Sequence, residues 1–176
     1  MDYPLLTKRL SIRPLGMEDL DSFVSYRRDP DIARFQGWEP TYNKNQALEL
    51  LESQAGLELP AAGQWLQLAI HNRVDGALVG DLALHLVSDG ETVFELGFTI
   101  AREHQGNGFA KEATSALIQD LITRGATKFS ATTDRRNLAS IKVLTSLGFD
   151  IKPSKSWTEE FKNEIVTVDY FEKTTP

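Results

Sequence analysis

From Gly63 to Ile100, apolar residues recur at every second position, and this long tract narrows the available folds more than any other feature of the chain. Leu66, Leu68 and Ile70 alternate with other residues. Asp75-Gly76 then offers a turn into Leu78, Gly80, Leu82, Leu84 and Leu86 at the same spacing. Asp89-Gly90 predicts a second turn, into Phe94, Leu96, Phe98 and Ile100. Successive side chains on a strand point to opposite faces, so the tract predicts three consecutive antiparallel strands.

Beyond it the period lengthens. Ala110, Ala113, Leu117 and Leu121 follow helical spacing, and Gly125 offers a left-handed stop. Phe129, Ala131 and Thr133 predict another strand, Leu138–Leu147 another helix closed by Gly148, and Ile165–Phe171 a last strand, with Ile151–Trp157 adding a further one. Upstream, Leu10 and Ile12 oppose Arg9, Ser11 and Arg13 in a first strand that Pro14 ends, since proline brings no N–H to a ladder. A helix follows over Met17–Arg28. Asp29-Pro30 then reads as cap and first position of a short helix reaching Arg34, and a further helix over Asn43–Gln54 buries Ala47, Leu50 and Leu51. With no repeat or linker, residues 1–176 are expected to form a single α/β (α+β) layered domain.

Composition excludes several functions. The net charge is −6, so an extended nucleic-acid polyanion is not the expected partner, and any bound anion has to be held locally. The chain has no cysteine, which removes disulfides, thiolate metal sites and a cysteine nucleophile together. His71, His85 and His104 are scattered without ligand spacing, so no metal is expected. The opening residues lack a signal-type apolar core, and no later run is long enough to span a bilayer. The expectation is a cytoplasmic protein without a membrane partner.

Between the last strand of the tract and the following helix lies Gln105-Gly106-Asn107-Gly108-Phe109-Ala110. A helix N-terminus leaves backbone N–H groups unpaired and carries partial positive charge, and glycines before it let a phosphate approach. A dinucleotide fingerprint would need glycine at position 111, which is Lys111, and a P-loop spacing is not met by either glycine. The pattern Gln105-x-x-Gly108-x-Ala110 resembles the acetyl-CoA loop of the GNAT superfamily of N-acetyltransferases. The wider string His104–Ala113 is most similar to its RimJ/RimL-type branch. Thr7–Leu15, Glu95-Leu-Gly-Phe98, Asn137-x-x-Ser140 and Leu147-Gly148-Phe149 extend the resemblance in order over nearly the whole chain.

That resemblance implies the GNAT fold, a mixed and mostly antiparallel sheet of six or seven strands with about four helices, and transfer of an acetyl group from acetyl-CoA to an amine. It implies that the strand containing Phe98, Thr99 and Ile100 lies along the pantetheine arm, with Gly97 marking a bulge or close approach. The N–H groups around Gln105, Gly106, Asn107, Gly108, Phe109 and Ala110 would take the pyrophosphate, with Arg102 and Lys111 adding charge. Asn137 and Ser140 are implied CoA contacts, Asn137 also reading as a helix cap, and Lys142 and Arg135 are candidates for the adenosine 3′-phosphate.

Without a cysteine, direct attack of the amine on the thioester is expected, with much of the acceleration from positioning. Glu95 is the first candidate base, with Asp81 and His85 on one face of the preceding strand as substitutes. Many family members place a tyrosine acid on the helix after the asparagine. None stands there in this chain, and Ser140 is the hydroxyl that remains, as proton donor or as cofactor contact. Arg34, Phe35 and Trp38, together with Glu95, are the candidate acceptor-side residues, Arg34 for an acidic group and the aromatics for an apolar wall. Trp65 and Trp157 read as either wall or core. The acceptor is a protein N-terminus or a small amine, and members of the family are often homodimers. A catalytically inactive CoA-binding sensor or interaction module is the alternative reading, and a nucleotide enzyme a third.

Overall fold

The computed structural model describes residues 1–88 and 92–175, so the turn expected at Asp89-Gly90 lies outside the described residues. The alternating tract forms the middle of one nine-stranded sheet. Along the chain run β1 (Leu5–Leu6), β2 (Leu10–Pro14), α1 (Leu20–Arg27), α2 (Pro30–Ala33), α3 (Lys44–Ser53), β3 (Trp65–Asn72), β4 (Leu78–Ser88) and β5 (Val93–Ile100). Then come α4 (Phe109–Thr123), β6 (Lys128–Asp134), α5 (Leu138–Ser146), β7 (Asp150–Ile151), β8 (Trp157–Phe161) and β9 (Glu164–Thr174). The sheet order is β1-β2-β3-β4-β5-β6-β9-β7, with β8 also paired to β9. Among the described residues β5–β6 is the one parallel pair of strands.

The period-two pattern sorts side chains onto two faces. Leu66, Leu68 and Ile70 join Leu82, Leu84, Phe94 and Leu96 in a core covered by Ala113, Leu117 and Leu121 of α4 and Leu144 of α5. Each fully buried leucine or phenylalanine there contributes about 1.5–3 kcal/mol relative to exposure. The opposite face carries Ala69 under Leu20, Phe23 and Tyr26 of α1 and Ala47 of α3. Capping follows the sequence: Asp29 accepts from the Asp31 N–H with Pro30 at the first helical position, and Asn43 with Gln46 forms a capping box on α3.

Several expectations shift. The helix expected from Met17 begins as a 3-10 turn at Met17–Asp19 and becomes α-helical at Leu20. Pro14 closes β2 as its last residue, paired opposite Leu68. The strand expected over Ile151–Trp157 is broken into β7, a 3-10 turn at Pro153–Lys155 and β8, because Pro153 cannot extend a ladder. The β8–β9 hairpin was not evident in the sequence, since its turn uses Lys162-Asn163, both at positive φ, instead of a glycine pair. Gly97 marks no bulge. The β4–β5 register runs unbroken from Gly80–Ile100 to Leu86–Phe94, and a Cβ at Gly97 would meet that of Ala83 at an ordinary 3.4 Å.

Candidate active site

β5 and β6 pair only at Val93–Lys128, Phe94–Phe129 and Glu95–Ser130. Past that point β5 stays hydrogen-bonded to β4 as far as Ile100, while β6 stays with β9 as far as Asp134. Each strand is held from its outer side, so their inner edges part into a wedge. Backbone N–H and C=O groups on the inner edge of Leu96–Ile100 therefore lack a strand partner, a state a protein tolerates where water or a ligand supplies the bond. A cleft of about 740 Å³ occupies the wedge, with Leu96–Ile100 on one side and Ala131–Thr133 on the other.

The glycine loop closes one end of this cleft. Gly106 and Gly108 both adopt φ of +77°, the left-handed region open to glycine at little cost, and Gly108 is the residue before α4. The first N–H engaged by the helix is that of Glu112, bonded to the Gly108 carbonyl. The N–H groups from Gly106 to Lys111 have no acceptor among the described residues, and all six but Asn107 line the cleft. This is a positively polarised cradle at the start of a 15-residue helix. The Gln105 side chain donates to the Ile100 carbonyl at 3.0 Å, and both residues line the cleft. Asn107 Nδ2 donates to the His104 and Gln105 carbonyls at 3.1 and 3.3 Å. Both side chains thus brace the loop, leaving its backbone to face the space. Phe109 is buried beneath it with the Arg9 guanidinium 4.7 Å from its ring centroid, and Glu112 anchors that guanidinium at 2.6 Å. The residues fit a pyrophosphate there.

α5 supplies the facing wall through Asn137, Ser140, Lys142 and Val143. Asn137 Oδ1 accepts from the Ser140 N–H at 3.1 Å, so the helix-cap reading holds, and the side chain also lines the cleft. The Ser140 hydroxyl is half-buried at the same wall with no hydrogen-bond partner among the described residues. Lys111 and Lys142 are exposed at the cleft without an ion-pair partner among the described residues. Arg102 and Arg135 are otherwise engaged. Arg102 grips Asp29 at 2.5 Å and also pairs with Asp31, which pulls the Asp29 carboxyl down to about 2, while Arg135 binds Asp169 at 2.7 Å.

Glu95 is the last β5 residue paired to β6 and shares a sheet face with Gly97 and Thr99. It does not itself line the cleft. Its carboxylate is 3.3 Å from His85 Nδ1 directly across the ladder, and Trp65 stacks on the His85 ring at 4.7 Å. Asp81, the other substitute base, is fully buried and already committed. It accepts from Tyr26 and Gln67 and lies 3.5 Å from the Arg27 guanidinium; burial raises its pKa.

Of the acceptor-side candidates, Phe35 lines the cleft; Arg34 and Trp38 do not. Arg34 is exposed over its neighbour's ring, 5.2 Å from the Phe35 centroid. Trp38 is partly buried and packs against the core, where its Nε1–H donates to the Arg27 carbonyl at 3.0 Å and its ring covers the Arg27 guanidinium at 3.8 Å. Trp157 is exposed and donates to Glu159. The cleft residues that the sequence did not point to include Ile32 and Gln36 beside Phe35, Ala131–Thr133 of β6 and Val143 of α5. Only the adjacency of Gln36 to Phe35 hinted at them. Among the described residues no group of three or more His, Asp or Glu could hold a metal, and no helix is long and apolar enough to cross a membrane.

Residues 9–150 match the family model described as an acetyltransferase (GNAT) domain. The chain is 27% identical over 168 residues to an uncharacterized N-acetyltransferase, p20, of Bacillus licheniformis, with 95% of this chain and 93% of that protein covered. Among solved structures it is similar to spermidine N-acetyltransferase from Vibrio cholerae in complex with CoA and spermine. The TM-score is 0.81 at 19% identity, over 96% of each chain. It is also similar to RimL, a ribosomal L7/L12 alpha-N-protein acetyltransferase, in complex with CoA. Here the TM-score is 0.80 at 15% identity, over 96% and 95% of the two chains. At these identities the structural likeness is one of fold.

Proposed function

Because the chain belongs to the GNAT acetyltransferase family and is an acetyl-CoA-dependent acyltransferase, we propose that it acetylates a primary amine by direct attack on the thioester. The observation that carries this reading is the β5–β6 wedge, which opens onto the unpaired N–H groups of Gly106–Lys111 within one cleft.

Acetyl-CoA supplies an activated acyl carbonyl with a thiolate leaving group. The protein's part is positional and electrostatic. The loop N–H groups and the α4 dipole hold the pyrophosphate, with Lys111 and Lys142 adding charge near it. The free inner edge of Leu96–Ile100 pairs with the amide groups of the pantetheine arm, as a neighbouring strand would. One of its N–H groups donates to the acyl oxygen as negative charge grows there. Glu95, oriented by His85, takes the amine's proton through water on the acceptor face. Ser140 donates from the opposite wall to the departing sulfur. Phe35, with Ile32 and Gln36, walls the acceptor side. Two of the solved structures of this fold are named for acetylating spermidine or a ribosomal protein, which supports an amine acceptor of either size.

The test is thiol release from acetyl-CoA by the purified chain, screened over N-terminal peptides, polyamines, amino acids and aminoglycosides, beside a calorimetric titration with CoA. Amine-dependent release is expected. CoA binding without release to any amine overturns the transfer reading, and absence of CoA binding overturns the cofactor site.

A further inference from the structure

We propose that Lys162 is a positioning residue for acceptor recognition, tying the β8–β9 turn to the segment that carries Phe35 and Gln36 into the cleft. The inference rests on the reading that residues 31–36 form the acceptor wall.

Lys162 Nζ donates to the Ala33 carbonyl at 2.8 Å and to the Trp38 carbonyl at 2.5 Å, and lies 3.6 Å from Glu39. Ala33 ends α2, and its carbonyl is among those a helix leaves unsatisfied. Two carbonyls five residues apart thus converge on one ammonium, and the chain between them forms a short loop. Within that loop the backbone bond is Gln36 N–H to the Ala33 carbonyl at 3.0 Å. Gly37 adds no packing, since a Cβ there would meet nothing within 4 Å.

The other end of the segment is fastened separately. Arg102, in the turn between β5 and the glycine loop, grips Asp29 and Asp31 at the start of α2. The wall is therefore pegged at its start to the cofactor side of the cleft and at its end to the hairpin, with the Trp38 side chain beyond Phe35 and Gln36 held separately on Arg27. Removing Lys162 should free only the end that bears Phe35 and Gln36.

The backbone at Lys162 supports a selected role. Its φ is +52° and that of Asn163 is +62°, as a two-residue hairpin turn requires. Asparagine is common in this region, whereas lysine has no local means of offsetting the crowding of its Cβ. A strained residue that persists where its side chain makes two specific long-range contacts points to a use for those contacts.

Lys162→Met keeps the stem and the turn but removes the donor. Deuterium exchange of the full chain should then quicken about tenfold at residues 34–40, with α4 and β5 unchanged. In the transfer assay the acceptor KM should rise about tenfold with kcat within about twofold, the CoA affinity should be unaltered, and Lys162→Arg should restore most of the loss. Lys162→Gly removes the tie and relieves the turn together, so it should reproduce the exchange and KM effects without loss of melting temperature. Unchanged exchange at residues 34–40, or a fall in kcat with KM unmoved, overturns the proposal. Failure of every amine to accept acetyl would instead sink the transfer reading, while the exchange result still decides whether Lys162 holds the wall.

Discussion

His85 Nδ1 lies 3.3 Å from Glu95 Oε2 across the β4–β5 ladder, with Trp65 stacked on the other side of the imidazole in the same row of the sheet. The stack fixes the ring, and the ring fixes the carboxylate on the face it shares with Gly97. Glu95→Gln keeps the shape and removes the proposed base, so kcat/KM should fall about 10²- to 10³-fold with CoA affinity unchanged. His85→Ala should produce a smaller loss, since it frees the carboxylate without removing it. Thiol-release kinetics beside calorimetry check both.

Gly108→Ala tests the cradle. A Cβ there has room, its nearest neighbour being Arg9 Nη2 at 3.7 Å, so any penalty is conformational. Holding alanine at φ +77° costs about 1–2 kcal/mol, or the loop relaxes and its N–H groups turn from the cleft. Either a lower melting temperature or weaker CoA binding by about tenfold or more is expected. A variant that binds CoA and melts as the parent does would show the glycine to be dispensable.

Lys142 is predicted to discriminate between CoA and its 3′-dephospho form. One exposed ion pair amounts to about 1 kcal/mol at most, or roughly fivefold. Lys142→Gln should weaken CoA by about that factor and leave dephospho-CoA unaffected, as read by calorimetry at low salt.

Asp19 governs part of the acid limb of stability. Burial pushes its carboxyl up, but hydrogen bonds from His71, Arg13 and the Gly16 N–H outweigh this and hold it at about 2, below an unfolded value of 3.8. Because the folded value is the lower one, the contribution is full above the unfolded value and is lost as pH falls from about 4 to about 2. It amounts to about 2 kcal/mol. Denaturant melts should show Asp19→Asn destabilised at neutral pH with a flatter decline between pH 4 and 2.

Arg27 and Asp81 form a buried pair that serves the core. The guanidinium sits 3.9 Å from the Phe23 centroid and 3.8 Å from that of Trp38, and Arg27 Nε has no hydrogen-bond partner among the described residues. Removing one partner from a buried pair leaves an uncompensated group, at about 3–5 kcal/mol. Arg27→Met should therefore cost most of that on its own. The double variant Arg27→Met, Asp81→Leu should recover part of it in a double-mutant cycle.

The parts of the site legible in the sequence are those set by local chemistry. The glycines at 106 and 108, the Asn137 cap and the alternation that puts Glu95 opposite Phe94 and Leu96 all act within a few residues of themselves. Ser140 came from the family resemblance of Asn137-x-x-Ser140, and its place three residues after the cap puts it on the first turn of α5. Less legible were the pairings. Nothing near Arg102 or Arg135 in sequence shows that carboxylates at positions 29, 31 and 169 neutralise them. Trp38, expected in the acceptor wall, instead lies over Arg27, a contact that nothing adjacent in sequence shows.

The order of elements from β2 to α5, the left-handed loop before α4 and the absence of a thiol nucleophile were determined by the sequence alone, whereas the short β1 and the β7 and β8 strands that bring the sheet to nine, against the six or seven expected, were not. The former depend on side-chain period, glycine conformation and composition. Tertiary structure decided where β5 parts from β6, which cations remain free to meet a ligand, and which end of the 29–38 segment faces the cleft. Those outcomes turn on contacts such as that of Lys162 with Ala33, 129 residues away. No local periodicity encodes a contact at that separation, because it exists only once the sheet has brought the hairpin back over α2.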